Sequence, residues 1–398
     1  MKKTDRILNI EYALVQGFFW MGFCVCVSYA TVFLQGRGFS NFSLGLVLAL
    51  GNVLGFLLSP ALASAVDKGG RLTVFRCLWM LLAAEILLLL SFTVIRGSLA
   101  LSALYCLYIA ATTAVNPLNT ELSFELGGWT GRINYSAARG IGSLAYAPTA
   151  IALGSLTERC GTELLPYAGL ACLALQCVML AVISLQRKSG FIQCGVKAPG
   201  ERAETLSTLR FIRANPHFGL LLLGTALLFF SHNLSNNFLI NVVRNVDGDT
   251  AVMGRLSGFM ALVEIPAMFL YGTISRRIRC PSLLRFSVLM FTVKALAIAL
   301  SPTVGWLFAA HTLQALSFAV LTPATVQYTS LVVDPANSAK GQALSYGMTT
   351  VGSALAGGLG GLLYDSMSVS ATLLVGVAVS AVGAVLCELG IVGKRSEI

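Results

Sequence analysis

Twelve apolar runs dominate this chain, and each is long enough to cross a bilayer, which takes about 20 residues of helix. They lie near 8–35, 41–66, 71–96, 99–124, 134–157, 164–186, 216–243, 251–275, 281–300, 303–332, 340–364 and 370–393. Run length, and the lack of ten-residue alternation, predict helices rather than barrel strands. Of the 398 residues, 56% are hydrophobic and 11% charged, against about 25% charged in an average soluble protein. That balance argues against a soluble enzyme, a nucleic-acid binder and a disordered scaffold. The ten Cys are scattered, most of them inside apolar runs, and no CxxC occurs. Neither a zinc site, a disulfide framework nor any cofactor is expected. The first apolar run is long enough to span, so no cleavable signal is expected either.

The net charge of +10 reads as topology, because Lys and Arg collect in cytoplasmic loops. With the amino terminus inside, twenty basic residues fall on the inner side and five on the outer, Arg37, Arg96, Arg159, Arg244 and Arg255. The other two, Arg139 and Lys294, fall inside spans. An even number of spans returns the carboxyl terminus to the inside, so both termini are expected in the cytoplasm of a cell whose inner membrane holds the protein.

The longest polar stretch, 187–213, divides the chain into a six-helix bundle over 1–186 and a second over 214–398, with a cytoplasmic linker between. The halves are related in pattern. A polar loop leads into a small-residue helix after the fourth run (GRINYSAARGIGSLAYAPTAIALGSL) and again after the tenth (ANSAKGQALSYGMTTVGSALAGGLGGLL). The expected fold is all-α and integral to the membrane: twelve transmembrane helices in two pseudo-symmetric six-helix bundles. Parallel repeats of this kind are a transporter architecture with a midplane site. Small-residue pairs such as Gly51–Gly55 and Gly357–Gly361 suit close helix packing, and equally interfaces that move.

Charges at bilayer depth face a cavity or a partner. The deep candidates are Glu85, Glu121, Arg139, Glu264 and Lys294. Glu121 and Arg139 lie on antiparallel neighbours at similar distances from their loop; they can bind solute or form a locking ion pair. The seventh run carries His232 and Asn236 one turn apart, with Asn233 and Asn237 beside them. Such a row faces water, a solute or another helix. The fourth run adds Asn116 and Asn119 around Pro117, and the tenth adds His311 and Gln314. His titrates in the physiological range, and Glu264 can be neutral or charged at midplane, so both suit proton transfer. Glu85, in a very apolar helix, reads as a carboxyl hydrogen-bonded to a neighbour.

These residues resemble the lactose-permease-like branch of the major facilitator superfamily, its sugar and nucleoside proton symporters. That branch places a carboxylate on helix 4, an arginine eighteen positions on and an aromatic seven beyond; Glu121, Arg139 and Tyr146 stand at those spacings. The resemblance implies that Glu121 and Arg139 bind solute, that Tyr146 stacks on it, and that Glu264 and Lys294 match the branch's helix 8 glutamate and helix 9 basic residue. Asn116, Asn119, His232, Asn236, His311 and Gln314 complete the expected solute site. Asp67, Gly70 and Arg71 fit the superfamily's conformational loop signature, although Ala63 replaces its first glycine. The branch's helix 10 Lys, His and proton-carrying Glu fall at His311, Gln314 and Ser317 here. Coupling through Glu264 or His311, through another ion, or none therefore stays open. The implied activity is secondary transport of a sugar, nucleoside or small organic acid by alternating access, as proton symport. The alternative is proton-driven efflux of drugs or metabolites on the same fold. The expected partners are the solute, protons and the lipid bilayer, with no nucleic acid, and the expected state is a monomer. A multi-pass enzyme would need a metal or nucleophile constellation that the sequence does not offer.

Overall fold

The computed structural model describes residues 3–67, 72–126, 133–188, 208–334 and 337–392. Among these residues sixteen α-helices follow one another: α1 (Lys3–Phe23), α2 (Ala30–Gly36), α3 (Asn41–Asp67), α4 (Val74–Val94), α5 (Ser98–Glu125), α6 (Tyr135–Cys160), α7 (Leu164–Lys188), α8 (Thr208–Ala214), α9 (Pro216–Asn236), α10 (Leu239–Arg244), α11 (Thr250–Ile274), α12 (Cys280–Ala299), α13 (Val304–Thr312), α14 (Phe318–Val332), α15 (Ser338–Ser366) and α16 (Val369–Gly390). They trace twelve spans. The first is α1 and α2, the seventh α9 and α10, and the tenth α13 and α14. The all-α arrangement is the expected one.

Local chemistry sets where the helices start. Thr73, Asn134, Asp249, Thr303 and Ser368 each accept a hydrogen bond from the backbone N–H three residues on, capping α4, α6, α11, α13 and α16. Pro216 opens α9, where a missing N–H costs nothing. Gly161 closes α6 with φ 82°, a conformation open to glycine.

Among the described residues, ten helical stretches are long and apolar enough to cross a membrane by length and hydropathy alone. The two that fall short are α6 and α15, the fifth and eleventh spans. They occupy equivalent places in the two halves and are the two small-residue helices singled out by sequence. Their Gly, Ala, Ser and Thr trade hydropathy for close approach. Equivalent spans also share their irregularities. The first span holds a π-helical stretch, Cys24–Ser28, and the seventh breaks at Asn237–Phe238. Pro60 and Pro266 sit inside α3 and α11, and Pro117 and Pro323 inside α5 and α14.

The chain forms two compact units: residues 1–39 with 50–200, and residues 40–49 with 201–398. In the first, α1 packs on α6 and α7, and α4 on α5. A Cβ added at Gly51 would lie 2.7 Å from Ile109, and one at Gly55 2.6 Å from Thr113, so this pair lets α3 lie directly on α5. In the second, α9 packs on α15 and α16. There Gly357 and Gly361 bring α15 onto the start of α3, where Asp365 accepts from the Asn41 and Phe42 N–H groups at 3.1 and 2.7 Å. The polar stretch 187–213 is helical at its end: α8 docks on α9 with Phe211 buried edge-on against Phe218. Leu57, Leu87, Val94 and Phe269 are among many large apolar side chains left exposed for lipid. The chain is a multi-pass membrane protein.

Candidate functional site

In the second unit, side chains from four segments join in one file. Asn236 and His232 sit one turn apart at the end of α9, and Asn236 Nδ2 lies 2.9 Å from His232 Nε2. His232 Nδ1 lies 2.9 Å from Lys294 Nζ on α12. Lys294 donates to Gln314 Oε1 at 2.5 Å, and Gln314 Nε2 donates to Glu264 Oε1 on α11 at 2.7 Å. Gln314 belongs to a 3-10 stretch, Leu313–Ala315, that separates α13 from α14. The break supplies the turn that brings the Gln314 amide between Lys294 and Glu264.

Lys294 is 2% exposed and Gln314 3%. Phe318 stacks on the His232 ring at 5.3 Å, Phe291 meets it edge-on at 5.6 Å, and the Lys294 ammonium lies 5.6 Å from the Phe291 centroid. The aromatic rings exclude water from the middle of the file, while Asn236 and Glu264 at its ends are half-buried. His311 is fully buried, with Nδ1 2.8 Å from the Leu307 carbonyl and Nε2 without a partner.

The first unit arranges its polar groups differently. The Arg139 guanidinium lies over the Trp20 ring at 3.8 Å and donates to Ser143 Oγ at 3.0 Å. A Cβ at Gly142 would run into Trp20, so glycine there makes room for the indole beside α6. Tyr146 donates to Ser28 Oγ at 2.9 Å, where the π-helical stretch turns that hydroxyl toward α6. Glu121 is half-buried on α5, one turn before Glu125, which takes Arg187 at 3.1 Å. Asn116 is half-buried; Asn119 is fully buried, and neither polar atom of its amide has a partner. Glu85, buried in α4, accepts from Thr112 Oγ1 at 2.7 Å, the neighbour-bonded arrangement expected of it.

The structure thus brings together His232, Asn236, Glu264, Lys294 and Gln314, and places His311 one turn before Gln314. Arg139 and Tyr146 both turn toward the first span. Asp67 is the last residue of α3; Gly70 and Arg71 lie outside the described residues. Trp20, Ser28, Ser143, Phe291 and Phe318 were not singled out by sequence. An aromatic in an apolar helix is indistinguishable there from a lipid-facing one. Among the described residues no group of three His, Cys, Asp or Glu could hold a metal ion.

Comparison with known proteins gives a consistent result. The family model described as the MFS_1 like family matches residues 10–375. The chain is 26% identical over 310 residues to a maltose permease of Geobacillus stearothermophilus, covering 75% of this chain and 73% of the relative. Among solved structures it is similar to the nucleoside transporter NupG in a form with one aspartate replaced by alanine, with TM-score 0.77 and 14% identity, covering 96% of this chain and 100% of that one. It is also similar to a bacterial homologue of the human lysosomal transporter Spinster, with TM-score 0.73 and 14% identity, over 98% and 97% of the two chains. At those identities the structures speak for the fold, which is that of the major facilitator transporters, as expected.

Proposed function

The chain belongs to the MFS_1 like family of major facilitator transporters, and from that premise we propose that it carries a sugar, nucleoside or small organic acid across the cytoplasmic membrane. The proposed mode is alternating access with proton symport, by a monomer whose two termini lie in the cytoplasm. The observation that carries the reading is the file Asn236–His232–Lys294–Gln314–Glu264. A buried cation, a carboxylate and a titratable ring in unbroken contact are costly in a membrane protein unless they serve a bound solute or ion. Their amides and imidazole offer donors and acceptors together, which suits hydroxyl-bearing solutes. The likeness to a maltose permease supports the sugar member of the class.

In the first unit, Glu121 and Arg139 are assigned to solute recognition and Tyr146 to its ring, with Trp20 beneath the guanidinium. Asn116 and Asn119 continue the site on α5. In the second unit, the file completes recognition at Asn236 and Glu264 and carries the coupling proton, with His311 beside it.

The test is a thermal-shift screen of the purified protein against maltose, uridine and aromatic acids. Hits then go to uptake into proteoliposomes with and without an imposed proton gradient. The reading expects stabilisation by at least one solute, gradient-driven accumulation of it, and loss of both in a Glu121→Ala, Arg139→Ala double variant. Full affinity in that double variant refutes the recognition site. Accumulation that ignores the proton gradient refutes the coupling.

A further inference from the structure

A neutral imidazole has one ring nitrogen that donates and one that accepts. Both nitrogens of His232 are engaged, Nδ1 with Lys294 Nζ and Nε2 with Asn236 Nδ2, each at 2.9 Å. An ammonium has three protons and no lone pair, so a charged Lys294 requires Nδ1 to accept and places the ring proton on Nε2. Two donors would then meet at Asn236. The contact holds only with the amide reversed, Oδ1 accepting from Nε2–H, a rotation that leaves the side-chain shape unchanged.

A neutral Lys294 amine keeps two protons, one of them for Gln314 Oε1, and gains a lone pair that can accept from Nδ1–H. With the ring proton on Nδ1, Nε2 accepts from Asn236 Nδ2, and Asn236 Oδ1 is the end of the amide left without a partner. An imidazolium beside a charged lysine would set two cations in contact and is disfavoured. Gln314 takes no part in the reversal. Its Nε2 donates to Glu264, and its Oε1 accepts from either form of the lysine. A change at Lys294 therefore travels one way along the file, toward Asn236.

We propose that Lys294 is the proton-carrying group of the second unit, and that its proton, relayed through the His232 tautomer, decides whether Asn236 offers a donor or an acceptor to the solute. This rests on the reading of the chain as a proton-coupled solute carrier. With Lys294 charged, the free end of Asn236 is its NH2 group. With Lys294 neutral, the free end is Oδ1. A solute that presents only an acceptor here, such as a nucleobase carbonyl or the ring oxygen of a sugar, binds with the proton and travels with it. Asn236 is thereby a specificity-determining residue. Proton release balances: the Nζ–H bond breaks as Nδ1–H forms, and Nε2–H passes its proton to water, so one proton leaves and both side chains end neutral.

The titratable groups facing Lys294 are His232 on α9, Glu264 on α11 and His311 on α13. On the other elements packed against α12, Glu388 of α16 pairs with Arg285 at 2.9 Å, and Tyr328 of α14 donates to the Gly390 carbonyl.

The chain has three histidines, so 15N-histidine labelling of the full-length protein in lipid vesicles gives a readable solid-state NMR spectrum, with His232 assigned by loss of its signals in His232→Gln. The expected result is an exchange of tautomer at His232, from Nε2–H at low pH to Nδ1–H at high pH, without an imidazolium stage. In Lys294→Arg, whose charge is permanent, the Nε2–H form should persist at every pH; Lys294→Gln, which has no titrating group, should likewise hold one tautomer. A single tautomer across the pH range in the unaltered protein overturns the proposal, as does a switch that survives in either variant. No solute enters this measurement. A protein that switches yet moves neither maltose nor uridine sinks the transport reading alone, and one that transports without switching sinks this proposal alone.

Discussion

The two units hold their intramembrane cations, half-buried Arg139 and fully buried Lys294, by different physics. In the first, the Arg139 guanidinium lies over the Trp20 ring, 3.8 Å from its centroid, and donates to Ser143 Oγ. A cation on an aromatic face is held without fixed direction and tolerates small shifts. In the second, Lys294 is held end-on by His232 and Gln314, each tied to a further polar group. Directional bonds in series transmit a change at one member to the next. The first arrangement suits a cation that adjusts to a bound solute, and the second suits a group that changes state. The resemblance in spacing fell mainly on the first unit, whereas the connected machinery is in the second.

The sharpest way to break this contrast is Lys294→Met. It leaves His232 and Gln314 each short of a buried partner, at about 1–3 kcal/mol per group, so thermal unfolding should come at a clearly lower temperature and uptake should collapse. An equal loss of stability from Arg139→Met would erase the distinction, since the face-on contact contributes only about 0.5–2 kcal/mol. Gly142→Val should displace Trp20 from beneath Arg139 at about 1–3 kcal/mol of overpacking, read as a lower melting temperature together with weaker solute binding. Arg139→Lys keeps the charge and loses the planar stacking; solute affinity should fall about tenfold, or about 1.4 kcal/mol, with folding unaffected. The smallest effect belongs to Tyr146→Phe. It removes the bond to Ser28 at about 0.5–1.5 kcal/mol and keeps the ring, so solute binding should survive; its loss would show that the hydroxyl, not the ring, serves the solute.

Much of the architecture was legible in the residues. The twelve spans follow from run length, α6 and α15 included, although these two fall short of the hydropathy of the other ten. The breaks were not legible. Cys24–Ser28 contains neither proline nor glycine, and its π-helical turn is fixed by packing within the first unit. Leu313–Ala315 reads as uninterrupted helix, yet its 3-10 turn is what aims Gln314 between Lys294 and Glu264. The buried charges themselves were visible, because a charge in an apolar run stands out whatever surrounds it. Their partners were not: Trp20, Phe291 and Phe318 look like any lipid-facing aromatic until the helices are packed. Asp365, which accepts from the first N–H groups of α3, stands more than three hundred residues from them in sequence, a pairing no local pattern encodes.

The most direct test of the account is uptake of labelled maltose and uridine into proteoliposomes under an imposed proton gradient, with the unaltered protein and Lys294→Arg side by side. The account predicts that the unaltered protein accumulates one of the two above its outside concentration, while the variant only exchanges it downhill. Accumulation by Lys294→Arg to the same level as the unaltered protein would contradict it.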